Sequence, residues 1–168
     1  MKLPMKVKGF NLFFEGLNLH GLVVDVTRPK ISFKTEAYRP GGFDVDVQIE
    51  QGLESLELEF TAGGYTAEVI REMGGSVAGK VIRYQGSLES EDESEFGELV
   101  GEARGRITEV DYGTDKQGDD TEVKFKMQLV YWRETLNGKP ILEIDALGGK
   151  LQIGDKDLRA DRRRRLGL

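Results

Sequence analysis

Apolar and polar residues alternate with a period of two over most of this sequence, the pattern of strands that bury one face. Ile31 to Tyr38, with Phe33 and Thr35 set between charged neighbours, shows it, and so does Val45-Asp46-Val47-Gln48-Ile49. Both read as half-buried strands. The second leads into a turn at Gln51-Gly52, after which Leu56-Glu57-Leu58-Glu59-Phe60 alternates again, so residues 43–62 are expected to form a β-hairpin with a short loop. Tyr65 to Met73 breaks the rhythm. Val69, Ile70 and Met73 share one helical face there, Thr66 stands where a cap belongs, and Gly74-Gly75 stands where a helix stops.

Strands return from Lys80. Ile82, Tyr84 and Leu88 share one face and Arg83, Gln85 and Ser87 the other, and the acidic run Glu89 to Glu95 follows as a solvated loop. Leu99, Ala103 and Ile107 belong to a long strand reaching Tyr112, the Gly- and Asp-rich stretch Asp111 to Asp120 is a turn, and Val123, Phe125, Met127, Leu129 and Tyr131 alternate strictly. Asn137-Gly138 is a two-residue hairpin signal, with Pro140 to Ala146 as the returning strand. No repeat or linker divides the chain, so residues 1–168 read as one domain with a charged C-terminal tail over 155–168. The expected fold is mainly β (α+β): two packed antiparallel sheets or a flattened β-barrel, with one short flanking helix.

Composition narrows the chemistry. The 22 glycines have no period and fall between the alternating segments, where turns belong. Absence of Cys excludes disulfides, thiolate zinc sites and a cysteine nucleophile, and with only His20 available a histidine triad or multi-histidine metal site would need a second subunit. His20 reads as structural or exposed. The first residues lack the apolar stretch of an export signal, and no apolar run is long enough to span a bilayer. A net charge of −6 argues against non-specific nucleic-acid binding by the chain as a whole.

Each candidate motif meets an objection. Asp111 to Glu122 has the length of a calcium-binding EF-hand loop, but Gly113 replaces a ligand, Lys116 stands where glycine is required, and strands flank it, so a hairpin loop fits better. Paired carboxylates could hydrolyse glycosides, yet no pocket that would raise a pKa is evident. Gly41-Gly42 precedes a strand and lacks the Lys-Ser/Thr of a phosphate loop. Arg162, Arg163, Arg164 and Arg165 could bind phosphates, but no aromatics are interleaved for base stacking, and a basic tail on an acidic protein suits acidic surface on another subunit better.

The expected hairpin is more informative. Asp44, Asp46, Gln48 and Glu50 oppose Val45, Val47 and Ile49 on its first strand, and Ser55, Glu57, Glu59 and Thr61 oppose Leu56, Leu58 and Phe60 on its second. One face is then apolar and the other acidic. Like charges on adjacent strands repel, so a face this biased invites a functional explanation. Two further segments read as contacts between subunits: the loop Tyr38, Arg39, Pro40, Gly41 and Gly42, richer than a hairpin needs, and the tail, too poor in apolar residues to fold onto its own core.

Asn11-Leu12-Phe13 with Gly16 and Gly21, then Pro29-Lys30, then Lys34-Thr35-Glu36-Ala37-Tyr38-Arg39-Pro40-Gly41-Gly42 resembles the N-terminal signature of major tail tube proteins of contractile-tailed phages. The similarity continues through Gly52, Leu56-Glu57, Phe60, Arg104-Gly105-Arg106, Leu142-Glu143-Ile144-Asp145 and Leu166-Gly167-Leu168. Phe43 departs from it, standing where Met is expected, and the tetra-arginine tail is more basic than expected. The resemblance implies a non-enzymatic, cofactor-free virion tail protein, present in the host cytoplasm during assembly. It implies hexameric rings stacked head to tail, a β-barrel shared between subunits around a DNA channel, and sheath, tape-measure, baseplate and tail terminator proteins as partners. R-type pyocin tubes and secreted type VI ring proteins are similar. Asp44, Asp46, Glu50, Glu57 and Glu59 would then face the channel, where an acidic lining repels DNA in transit. An isolated β-sandwich binding module and a carbohydrate enzyme remain the alternatives from other classes.

Overall fold

The computed structural model describes residues 2–168. The first half contains β1 (Lys6–Phe14), β2 (Leu17–Asn18), β3 (Val23–Thr27), β4 (Phe33–Tyr38), β5 (Val47–Leu53), β6 (Leu56–Ala62) and the single-turn helix α1 (Ala67–Ile70). The second contains β7 (Lys80–Glu89), β8 (Phe96–Asp111), β9 (Val123–Leu136), β10 (Lys139–Asp145), β11 (Lys150–Ile153), β12 (Lys156–Asp157) and helix α2 (Ala160–Arg165). All strand pairs are antiparallel.

The long pair β8 and β9 organises the rest. On its far edge β9 takes two partners in succession, β6 along Val123 to Leu129 and β10 along Tyr131 to Leu136. The main sheet runs β12-β11-β10-β9-β8-β7-β1-β2, with β6 and then β3 branching from β9. A sheet that branches this way curls over itself. One buried cluster accordingly joins Leu12 and Phe14 of β1 to Leu58 and Phe60 of β6 and to Phe125 and Met127 of β9, with the Phe60 and Phe125 rings stacked at 4.9 Å. The expected mainly β architecture holds, with two short helices in place of one.

The switch of partner coincides with a bulge. Arg104 pairs with Tyr131 and Gly105 with Leu129, so Val130 is left over and the alternation of β9 inverts. Trp132 turns inward and is buried, while Tyr131 turns outward beneath the Arg104 guanidinium, 5.0 Å from its ring centre. The alternation expected through Tyr131 therefore ends at Leu129. Gly105 makes the bend possible: a Cβ there would lie 2.1 Å from the Gln128 carbonyl oxygen and 3.0 Å from Leu129 Cα.

The expected hairpin over residues 43–62 does not form. β5 pairs with β4, whereas β6 pairs with β3 and β9. Gly52, at φ +112°, lies in a bulge of β5, and its N–H donates to the Glu50 carboxylate instead of closing a turn. The pairing that does form is nested: β3 lies against β6, and β4 and β5 continue that ribbon beyond the body. The helix is also shorter than expected. Thr66 donates to the Gly64 carbonyl at 3.2 Å and leaves the helix start uncapped, while Met73 is exposed. Asn137 and Gly138, both at positive φ, make the anticipated tight turn between β9 and β10.

Gly105→Ala is expected to destabilise the subunit by about 3 kcal/mol, the upper range for forcing atoms into a packed interior. Gly9→Ala, a strand position where the added methyl meets nothing within 4 Å, is the control and should be nearly neutral. Urea unfolding of the two variants measures both.

Candidate assembly surfaces

The ribbon β4–β5 leaves the body and pairs with no other strand among the described residues. Its register sets Tyr38 opposite Val47 and Glu36 opposite Ile49 on one face, with Ala37 opposite Gln48 and Thr35 opposite Glu50 on the other. The sequence alternation puts Val47 and Ile49 on the half-buried side of β5 but Phe33 and Thr35 on that of β4, and these fall on opposite faces of the ribbon; on the first face Tyr38 is 54% exposed, Val47 44% and Ile49 42%. Those side chains alternate as if for a core that their own subunit does not provide. Both outer edges also carry unpaired backbone groups, and a lone two-stranded ribbon is marginal in water.

At the tip, Arg39 Nε donates to the Phe43 carbonyl at 3.2 Å and lies 3.9 Å from the Asp46 carboxylate. The Phe43 N–H donates to the Pro40 carbonyl, and Gly42 takes φ +92°. Tyr38 through Gly42 thus build the turn of the arm. Phe43 and Val45 stand exposed beside Asp44 and Asp46.

The five acids expected on one face are dispersed. Asp44 and Asp46 sit at the tip, and Glu50 sits near the base, where its carboxylate accepts from Arg159 at 2.5 Å. Glu57 and Glu59 lie on the outward face of β6, because Leu56, Leu58 and Phe60 take the core side. They are not alone there. Lys124 lies 3.4 Å from Glu59, and Lys126 lies 3.7 Å from both Glu57 and Glu59 and 4.0 Å from Glu109. This face is a lattice of alternating charge rather than an acidic sheet. Lys124-x-Lys126 was visible as the polar side of β9, but nothing in the sequence marked β9 as the neighbour of β6.

The C-terminal tail also departs from expectation. It forms α2, and part of it docks on its own subunit without apolar burial. Arg163 donates to the Asp157 carboxylate at 2.7 Å and to the Gly149 carbonyl at 3.3 Å. Arg164 pairs with Asp161 at 2.9 Å. Arg162 and Arg165 have no ion-pair partner among the described residues.

The family model described as phage tail tube protein FII matches residues 4–167. The tail tube protein of Escherichia phage P2 is 34% identical over the full length of both chains. The major tail tube protein of Serratia phage KSP20 is 36% identical, over 96% of this chain and 95% of that one. Among solved structures, a chain of the sheath-tube complex of an extracellular contractile injection system aligns with a TM-score of 0.59 and 15% identity, covering 79% of this chain and 91% of its own. A tube-terminating cap protein of the anti-feeding prophage aligns with a TM-score of 0.58 and 16% identity, over 82% and 93%.

The docking of α2 is expected to depend on pH. The Arg163 guanidinium, with the Arg159 amide, holds the Asp157 carboxyl below its ordinary value of 3.8. A lowered carboxyl pKa stabilises fully above the unfolded value and is lost as pH falls through the folded one. Backbone amide shifts of Ala160 to Leu166 should therefore stay native down to about pH 4 and collapse below it, whereas Asp157→Asn should show the released shifts at every pH.

Proposed function

This chain belongs to the phage tail tube protein FII family and is a non-enzymatic structural protein of the tail, and on that premise we propose that the arm β4–β5 closes it into rings. In this reading the unpaired edges and uncovered face of the arm meet the next subunit, so a barrel shared by all copies completes a core that none has alone. The observation that carries it is the exposure of Tyr38, Val47 and Ile49 on a ribbon with no strand partner among the described residues. A closed ring removes such edges without opening new ones. Six copies per ring, head-to-tail stacking of rings, a sheath outside, a tape-measure protein within during assembly, and baseplate and terminator proteins at the ends complete the proposal.

The charged face of β6, β9 and β8 lines the channel in this scheme. With Lys124 and Lys126 held by Glu57, Glu59 and Glu109, the lysines are masked from a passing phosphate backbone. Stable phosphate contacts would otherwise have to be broken one after another as DNA moves.

Negative-stain microscopy of concentrated protein should show rings or tubes, and a protein that stays monomeric at every concentration, even with a nucleating baseplate, would overturn the reading. Tubes carrying Glu57→Gln and Glu59→Gln should still assemble, but should retain DNA at low salt where native tubes release it. The difference should vanish at high salt, where screening shortens the reach of the uncovered lysines.

A further inference from the structure

A groove of about 450 Å³ opens at the base of the arm, between the β5–β6 bend, the β10–β11 turn and α2. Its floor is apolar, made by Leu53, Leu56, Leu129, Ile144 and Leu151. Its charged lining is mixed: Lys150, Arg159 and Arg162 border it together with Glu54 and Asp145. Lys150 is held by Glu143 at 2.8 Å and Arg159 by Glu50 at 2.5 Å. Arg162 is exposed and has no ion-pair partner among the described residues.

The tip of the arm has the complementary composition. Phe43 and Val45 are exposed apolar side chains, Val45 at 71%, and the neighbouring Asp44 has no ion-pair partner among the described residues. Within one subunit the two cannot meet. β4 runs for six residues, which at about 3.3 Å per residue holds the tip roughly 20 Å from the base.

We propose that Phe43 and Val45 of one copy seat on the Leu53–Leu151 floor of a second copy, with Asp44 pairing to Arg162 at its rim. The surfaces are different and lie at opposite ends of the arm, so the contact is head-to-tail and each copy that receives a tip also offers one. Such a contact propagates, whereas a self-complementary one would stop at two copies. The charge pair sets direction and the apolar pair excludes water from it. This rests on the reading that the chain assembles with itself, and it names the residues that join one copy to the next.

The chain has no cysteine, so a disulfide can report the contact cleanly. Val45→Cys combined with Arg162→Cys, oxidised under assembly conditions, should give a ladder of dimers, trimers and higher species on a non-reducing gel. An intramolecular bond is excluded because the two Cα atoms would have to come within about 7 Å. In parallel, Asp44→Arg and Arg162→Asp should each fold with an unchanged melting curve yet fail to form tubes, and the two together should form them again. Tubes of the double-cysteine variant that give no cross-linked ladder, or normal tubes from both single reversals, would overturn the tip-and-groove contact and leave the assembly reading standing. Absence of rings and tubes from the native chain would overturn both.

Discussion

An antiparallel ribbon that leaves the core of its own subunit must find a second surface. Its outer edges offer backbone donors and acceptors with no partner, and its alternating side chains uncover an apolar face on one side. In this chain that ribbon is β4–β5. Burial of a leucine-sized side chain stabilises by roughly 1.5 to 3 kcal/mol. Three exposed apolar side chains on one face, Tyr38, Val47 and Ile49, therefore leave part of that stabilisation unrealised within the subunit.

The rest of the fold holds that ribbon in place. The bulge at Val130 lets β9 serve β10 with one half and β6 with the other, and Gly105 allows the close approach at the bend. Through β6 and β3 the same pairing fixes the direction in which the arm leaves. Glu50 and Arg159 then tie its base to α2. In the proposed assembly a change at Gly105 would thus act through the core, while a change at Asp44 would act at the proposed contact and leave the core alone.

Local signals in the sequence were reliable where a residue's own backbone decided the outcome. Asn137-Gly138 makes its turn, and the alternation of β7 and β8 buries Ile82, Tyr84, Leu99, Ala103 and Ile107 as its period implies. Pairing was less legible. Val45 to Ile49 and Leu56 to Phe60 carry the same alternation, yet the first serves another subunit in the proposed assembly and the second serves its own core, because period alone does not say which protein covers a face. The bulge at Val130 has no glycine or proline of its own to announce it. The docking of the tail was hidden for a different reason: a segment poor in apolar residues is held by specific polar acceptors, Asp157 and the Gly149 carbonyl, which lie close only after β11 and β12 have formed.

The family and its function were legible because whole segments matched, from the Asn11-Leu12-Phe13 stretch to the last residues. The charge partners of Glu57 and Glu59 were not, because cross-strand neighbours decide which charges meet. The most direct measurement of the central claim is amide hydrogen exchange across Phe33 to Leu53 in the free subunit and in the assembled state. If the arm is completed by its neighbours, the outward-facing amides of β4 and β5 exchange rapidly in the monomer and become strongly protected on assembly, while β8 and β9 are protected in both. Equal and rapid exchange of the arm in both states would contradict it.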